Sequence, residues 1–466
     1  MLLQQSLQSF DEDWALTLKQ SLLASPLFAI KRAFPSSAKL GSIFQLLSYV
    51  VAVILFAALG ARQFANDKEG LAVIAVAGFA LWFAGNLLSG KERRMPSAVD
   101  GFVLLYFGAN VVAAFGSHYF QESLKGLAKV AVYILTYFYL TSVLNHKTGR
   151  KIGIISALAA VALAVSLFGF WQYVHHVEPL ATWEDPTLET HETRIFSTLN
   201  NPNLLAGYLL PLVPLFGALG TGLCSTRRWL FGLPFIGIAV VVAVATVLTG
   251  SRGGWIGLFV SLGCLAAVLF VSFWREKPKL RIPIIVALLG AVAAVMLALH
   301  FLPSFQQRVS SIFAGSEHSS NAFRINVWRA SFRMFKDNWW FGIGPGKDAF
   351  VHAYGLYMES SFDALGTYCV PLEVGVECGI LGLIAFVCLI GSLLARGHAE
   401  FWGCNSIYST PTLDRWIALG AGIALVGMMV HGFVDTVFYR PQVQFIFWLL
   451  VALLTTVPLP HAYIEK

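Results

Sequence analysis

Charged side chains are scarce in this sequence. Lys, Arg, Asp and Glu make up 12% of the 466 residues, while 57% of the residues are hydrophobic. A soluble domain usually carries about a quarter charged residues, so an ordinary water-soluble protein is excluded. The formal net charge of +7 does not indicate nucleic acid as a partner, because most basic residues lie in short loops between apolar runs.

Cysteine pairs and metal-binding spacings are also missing. None of the six cysteines belongs to a CxxC pair or a zinc-like spacing, so we predict no disulfide framework, no metal site and no cofactor. We also expect no cleavable signal peptide, since the first 40 or so residues are polar and mixed. The apolar run that begins near Ile43 should therefore act as a retained anchor.

The sequence does contain twelve long apolar runs. A membrane-spanning helix needs about 20 apolar residues, and the short alternating segments of a membrane β-barrel do not appear. We predict an all-α polytopic bundle of about 12 transmembrane helices. The predicted spans are 43–60, 71–89, 98–116, 126–144, 152–174, 203–223, 229–249, 253–273, 283–301, 372–395, 416–434 and 442–458.

Nearly every second loop between these runs is basic, and basic loops stay on the cytoplasmic side of an inner membrane. This alternation predicts a multi-pass inner-membrane protein with both ends in the cytoplasm. The basic residues are Lys91, Arg93 and Arg94, then Lys147, Arg150 and Lys151, then Arg227 and Arg228, then Arg275, Lys277, Lys279 and Arg281.

Four regions follow from this topology. We predict a cytoplasmic amphipathic lead-in at 1–42, with an interfacial helix over Asp13–Phe34. Spans one to nine occupy 43–301 and include an outer loop at 175–202. A large periplasmic loop occupies 302–371, and spans ten to twelve with a short cytoplasmic tail occupy 372–466.

The periodicity between Asn321 and Asp337 predicts a basic amphipathic helix in the large loop, of a kind that can lie on a membrane surface. Its apolar stripe consists of Ile325, Trp328, Phe332 and Phe335, with Arg329, Arg333 and Lys336 on one flank and Arg324 on the other. The glycine-rich run Gly342–Gly346 must end this helix in a turn, and a phosphate cradle there is the alternative.

Arg252 lies in a Ser-Arg-Gly-Gly hairpin between two predicted spans, at or below the outer membrane surface. An arginine at this depth is costly unless it is paired, so it is a functional candidate, and guanidinium binds phosphate or carboxylate bidentately. A side chain that only anchors the hairpin is the alternative. Arg324, on the basic helix, is a second candidate for anion binding.

Arg194 precedes the run Ser197–Asn203, in which an Asn-Pro pair predicts a turn before span six. Asn200 and Asn203 are predicted to cap that helix, whose N-terminus directs a positive dipole end outward. Capping and anion binding are compatible roles here.

Two pairs of titratable residues are spaced i, i+4 on predicted helices. Glu373 and Glu377 share a face of span ten and can act as acid and base, or can lie at the interface and pair with an arginine. His431 and Asp435 lie at the outer end of span eleven. They can form an oriented base or a hydrogen-bonded clasp between helices.

The Ser-Arg-Gly-Gly hairpin, the Arg324-x-x-x-Trp328 pattern and the run Leu372–Gly382 together resemble the O-antigen ligase and Wzy polymerase superfamily. The resemblance implies an inner-membrane enzyme that transfers glycans from an undecaprenyl diphosphate carrier at the periplasmic face. It also implies that outer arginines grip the diphosphate, which matches Arg252, Arg194 and Arg324.

A narrower resemblance, to the cyanobacterial IctB family, extends over nearly the whole chain. It is carried by STLNNPNLLAG, SRGGWIG, SSNAFRINVW, GIGPG, VPLEVGVE and HGFVDTVFYRP. It implies a role in inorganic-carbon accumulation, with bicarbonate as the anionic substrate of the arginine cluster.

The chain departs from the ligase pattern at one position. Ligases of the superfamily usually carry a histidine about nine residues before the position of Glu377, and this chain has Tyr368 there. A tyrosine with a pKa near 10 is a poor general base at neutral pH. His431, Glu373 or Asp363 must then replace the histidine, or the transfer is absent or different.

Three functions remain open from the sequence. The protein is a bicarbonate-linked membrane protein, a glycan ligase or polymerase that acts on a carrier lipid, or a non-catalytic membrane partner. Its partners are the lipid bilayer and either a small anion or a polyprenyl diphosphate. Few polar groups lie in the predicted spans, which disfavours net anion transport.

Overall fold

The computed structural model describes residues 38–66, 69–89, 96–178, 193–276, 319–359, 362–402, 413–435 and 437–456, with isolated positions between 281 and 310. The predicted interfacial helix Asp13–Phe34 and nearly all of the ninth predicted span lie outside the described residues. Within the described residues every regular element is helical, which confirms the all-α prediction.

The described part of the chain contains fifteen α-helices. They are α1 (Ala38–Ala58), α2 (Gln63–Asn66), α3 (Glu69–Ser89), α4 (Ala98–Gly116), α5 (Phe120–Leu144), α6 (Thr148–Val174), α7 (Pro202–Leu209), α8 (Leu212–Ser225), α9 (Trp229–Leu248), α10 (Arg252–Glu276), α11 (Ser319–Asp337), α12 (Lys347–Tyr354), α13 (Val370–Trp402), α14 (Leu413–Gly432) and α15 (Pro441–Thr455). Two short 3-10 turns cover Ser197–Leu199 and Val437–Tyr439.

Ten helical stretches in the described part of the chain are long and apolar enough to cross a membrane, with α7 and α8 counted as one. This confirms a multi-pass membrane protein. The twelfth predicted span forms α15, whose 15 residues are fewer than a full crossing needs. Nearly all of its side chains are buried, so protein rather than lipid surrounds it.

The centre of the bundle is formed by α7 and α8, whose residues are almost all buried. The sequence analysis predicted one continuous span here. Pro211 lies between the two helices and has no backbone N–H, so the helical hydrogen-bond pattern is interrupted at that point.

Helices α10 and α14 approach each other through glycines. A Cβ atom on Gly257 would lie 2.7 Å from the carbonyl oxygen of Gly427, and one on Gly427 would overlap the Ser261 side chain. Small residues allow membrane helices to pack backbone to backbone. This crossing brings the start of α10 beside the end of α14.

A buried ion pair lies at the end of the bundle where α6 and α14 begin. Lys151 is fully buried, and its Nζ atom lies 2.7 Å from Asp414 Oδ1 and 3.1 Å from the Thr456 carbonyl oxygen. Thr148 also donates a hydrogen bond to Asp414. The pair links α6, α14 and the end of α15 at the end that the loop charges assign to the cytoplasm.

Helix α13 is broken at Gly379, where φ is 65° and ψ is −166°. The segment that follows α11 pairs with the break. Ile343 and Gly344 donate backbone hydrogen bonds of 2.9 and 3.0 Å to the carbonyl oxygens of Val376 and Glu377, and Ile380 donates one of 2.7 Å to the carbonyl oxygen of Trp339. The predicted Gly342–Gly346 turn is therefore present, and it also completes a broken helix.

The buried face of α11 differs from the predicted stripe. Val327 and Met334 are fully buried, whereas Phe332, a predicted stripe residue, is 60% exposed. At about 100° per residue, the buried face is rotated by roughly a third of a turn from the predicted one. The cause is packing, because α11 lies against α12 and α13.

Candidate functional site

Three predicted residues meet at one end of the bundle, where α11 approaches the end of α14. Arg324 Nη2 and His431 Nε2 each lie 3.8 Å from Asp435 Oδ2. The side chains of His431 and Asp435 are 2% and 4% exposed, and that of Arg324 is 18% exposed. These separations are ion-pair distances, longer than hydrogen bonds, so the carboxylate lies between two cationic or polar partners.

Arg252 is the first residue of α10 and lies beside this group. The next residue, Gly253, is so close to α14 that a Cβ atom there would lie 2.9 Å from His431 Cδ2 and 2.8 Å from Val434 Cγ2. The Arg252 side chain is half-buried. Its position at a helix N-terminus adds the positive end of the α10 dipole to its own charge.

Arg194 joins the same neighbourhood through the end of α9. Its Nε atom donates a 2.9 Å hydrogen bond to the Thr249 carbonyl oxygen, three residues before Arg252, and its Nη2 atom donates one of 3.0 Å to Asn203 Oδ1. Helix α7, which contains Asn203, also packs against α10. The two helices are so close that a Cβ atom on Gly254 would lie 2.8 Å from Ala206 Cβ.

The predicted caps of α7 are wrong. Asn201 caps the helix, and its Oδ1 atom accepts hydrogen bonds of 2.9 and 3.0 Å from the backbone N–H groups of Asn203 and Leu204. Asn200 instead adopts a left-handed conformation with φ 59°, and Asn203 positions Arg194. The residue immediately before Pro202 was the available signal, because proline favours the first helical position and the cap precedes it.

Tyr368 lies in the same group, although the sequence analysis treated it only as the replacement of a histidine. Its ring packs edge-on against Phe323, with 5.4 Å between ring centroids. Burial, with a smaller contribution from the Asp435 carboxylate, raises the pKa of Tyr368 to about 12, while Arg324 opposes the rise. The phenol therefore stays protonated at neutral pH and can donate a hydrogen bond, but it cannot serve as a base.

Glu373 and Glu377 face a different space. They line a cavity of about 200 Å³ between α5, α13 and α15, together with Lys129. The Glu377 carboxylate also accepts a backbone hydrogen bond from Gly346. The structure does not bring the two glutamates into the arginine group. Tyr439 lines the cavity and also lies near Tyr368.

The arrangement is suited to holding an anion. The N-termini of α7 and α10 meet at one end of the bundle, and Arg194, Arg252 and Arg324 lie around them. Phosphate and carboxylate groups are favoured at such helix ends, and guanidinium groups add bidentate hydrogen bonds. In the described part of the chain, no group of three or more His, Cys, Asp or Glu is arranged to hold a metal ion.

Residues 237–387 match the family model described as O-antigen ligase, Wzy_C. The match supports an assignment to the O-antigen ligase-like superfamily. The Wzy_C region is about a third of the chain and contains Arg252, Arg324 and Tyr368, whereas His431 and Asp435 lie beyond its end.

A curated relative is also found. An uncharacterized protein of Haemophilus influenzae is 28% identical over 179 residues, which cover 35% of this chain and 42% of the relative. The chain thus spans less than half the length of that relative.

Proposed function

We propose that this protein binds an undecaprenyl-diphosphate-linked glycan at the extracytoplasmic end of the bundle and transfers the glycan to an acceptor. The observation that carries the proposal is the meeting of Arg324, His431 and Asp435 beside Arg252, in a chain that matches an O-antigen ligase family. A diphosphate needs several positive groups in one place, and Arg194 supplies a third guanidinium.

The apolar bundle suits a lipid carrier. Helices α1, α3 and α9 present large exposed apolar side chains such as Ile54, Val73 and Val240, which lipid tails cover in a bilayer. A polyprenyl chain stays in that apolar phase while its diphosphate reaches the arginines at the membrane surface. The substrate therefore does not have to leave the membrane plane.

The chemistry we propose is an inverting displacement. The acceptor hydroxyl oxygen forms a bond to the anomeric carbon of the glycan, and the bond from that carbon to the lipid diphosphate oxygen breaks. The acceptor proton passes to His431, which Asp435 stabilises as an imidazolium. The arginines stabilise the diphosphate as it leaves, and Tyr368 donates a hydrogen bond rather than accepting the proton.

The broken helix α13 does not favour ion transport. In many transporters, the free backbone groups of broken helices bind the transported ion. Here, backbone groups of Val376, Glu377 and Ile380 are hydrogen-bonded to the segment that contains Trp339 and Ile343. The IctB resemblance and a bicarbonate role stay predictions, and the experiment below separates them from glycan transfer.

The test is binding of undecaprenyl diphosphate to the purified protein in nanodiscs. Arg324→Ala should weaken binding at least tenfold, because it removes a charged hydrogen-bond donor. Arg329→Ala is the matched control, since Arg329 lies on the same helix and is exposed, and it should bind like the wild type.

Two further arms complete the experiment. Arg324→Lys keeps the charge opposite Asp435, so it separates a folding defect from a loss of bidentate binding. Labelled-bicarbonate uptake into proteoliposomes is measured in parallel. Saturable uptake that depends on Arg252, together with no binding of undecaprenyl diphosphate, would overturn the proposal in favour of an inorganic-carbon role.

A further inference from the structure

A second pocket lies on the outer side of the bundle, away from the arginine group. It has a volume of about 470 Å³ and is formed by the turn between α4 and α5, the segment after α11 and the end of α12. Arg324 and Asp337 lie 13 residues apart on α11, which corresponds to about 20 Å along the helix axis. The pocket is therefore separate from the proposed diphosphate site.

One side of this pocket is polar. The Tyr357 hydroxyl donates a 3.0 Å hydrogen bond to Asp337 Oδ2, and the Asn338 side chain also contacts that hydroxyl. Asn338 is itself fixed by a 3.0 Å hydrogen bond from its Nδ2 atom to the Met334 carbonyl oxygen. A carboxylate, an amide and a phenol thus converge on one surface, which offers both donors and acceptors to a ligand.

The other side is aromatic. Trp339 and Trp340 are 52% and 46% exposed, and their rings lie edge to face, with centroids 4.9 Å apart. Their backbone is fixed by the 2.7 Å hydrogen bond that the Trp339 carbonyl oxygen accepts from Ile380. The indole rings are therefore held on a rigid support and are about half exposed at the protein surface.

We propose that this pocket binds a sugar residue of a glycan, at a distance from the bond that reacts. A pyranose ring has an apolar C–H face, which stacks on indole, and an edge of hydroxyl groups, which pair with carboxylate and amide groups. Specific pockets combine aromatic walls with a few fixed polar groups in this way. This inference rests on the proposed function, because it assigns the pocket to the glycan part of the same substrate.

The polar side distinguishes a sugar from a lipid headgroup. The Asp337 carboxylate disfavours a phosphate, and the neighbouring Arg333 guanidinium already donates a 3.1 Å hydrogen bond to the Tyr357 carbonyl oxygen. The hydrogen-bonded Asp337–Tyr357 pair offers nothing to an acyl chain. Trp339 and Trp340 alone would fit an interfacial anchor equally well, so the test is directed at the polar pair.

The experiment uses the full-length protein in nanodiscs on an array of lipid-free bacterial oligosaccharides. We expect binding to a subset of them, weakened about tenfold by Tyr357→Phe and by Asp337→Asn, because each removes one polar partner. Tyr173→Phe is the matched control, since Tyr173 is an exposed tyrosine elsewhere. Arg324→Ala should leave oligosaccharide binding unchanged.

The outcomes separate the two proposals. The pocket assignment is overturned if no oligosaccharide binds, or if Tyr357→Phe and Asp337→Asn bind as well as the wild type. Oligosaccharide binding without any binding of undecaprenyl diphosphate would leave the sugar pocket standing and refute the diphosphate site. Binding of undecaprenyl diphosphate without any binding of oligosaccharide would refute the sugar pocket alone.

Discussion

A methyl group added at Gly257 tests whether the approach of α10 to α14 forms the candidate site. In Gly257→Ala the new Cβ atom would lie 2.7 Å from the Gly427 carbonyl oxygen, so one of the two helices must move. Overpacking of this kind costs about 1–3 kcal/mol, and the helix preference of alanine returns about 0.5–1 kcal/mol. We expect a net loss of about 1–2 kcal/mol.

Gly263→Ala is the matched control on the same helix, because no atom outside its own helix lies within 4 Å of a Cβ atom there. It should be neutral, or more stable by up to about 1 kcal/mol. Stability is measured by reversible unfolding in mixed micelles, and affinity by undecaprenyl diphosphate binding in nanodiscs. Gly257→Ala should lower both the stability and the affinity, because α10 carries Arg252 and α14 carries His431. Equal stability and affinity in the two variants would refute the reasoning.

Three further predictions concern other parts of the fold. Gly379→Ala should destabilise the protein more than Gly391→Ala in the same unfolding assay, because a Cβ atom at 379 overlaps the segment bound there and the one at 391 meets nothing. Lys151→Met should cost about 3–5 kcal/mol, and adding Asp414→Asn should restore part of it; additive losses would contradict the buried pair. Since the pKa of Tyr368 is raised to about 12 and unfolded tyrosine ionises near 10, the wild type should lose stability relative to Tyr368→Phe between about pH 10 and 12; parallel curves would refute this.

Much of the architecture could be predicted because membrane helices follow from composition. Eleven of the twelve apolar runs correspond to described helices. The proximity of His431 to Asp435 could also be predicted, since residues four apart on a helix are neighbours. These features depend on local sequence alone.

The parts that could not be predicted depend on contacts between distant segments. The hydrophobic pattern of α11 allowed more than one buried face, and only its packing on α12 and α13 selected the side with Val327. The break at Gly379 also has no local signature, because a glycine in a membrane helix is common and the paired segment lies more than 30 residues earlier. Tyr368 was placed in the site by the same kind of long-range contact.

The pairing of Trp339, Ile343 and Gly344 with the interrupted α13 has a consequence for biogenesis. These residues are translated before the helix that they complete, so their segment cannot reach its final conformation until α13 has been synthesised. The segment is thus not a separable folding unit. A fragment that ends before residue 370 should leave these backbone groups unpaired and be degraded faster than the full-length protein.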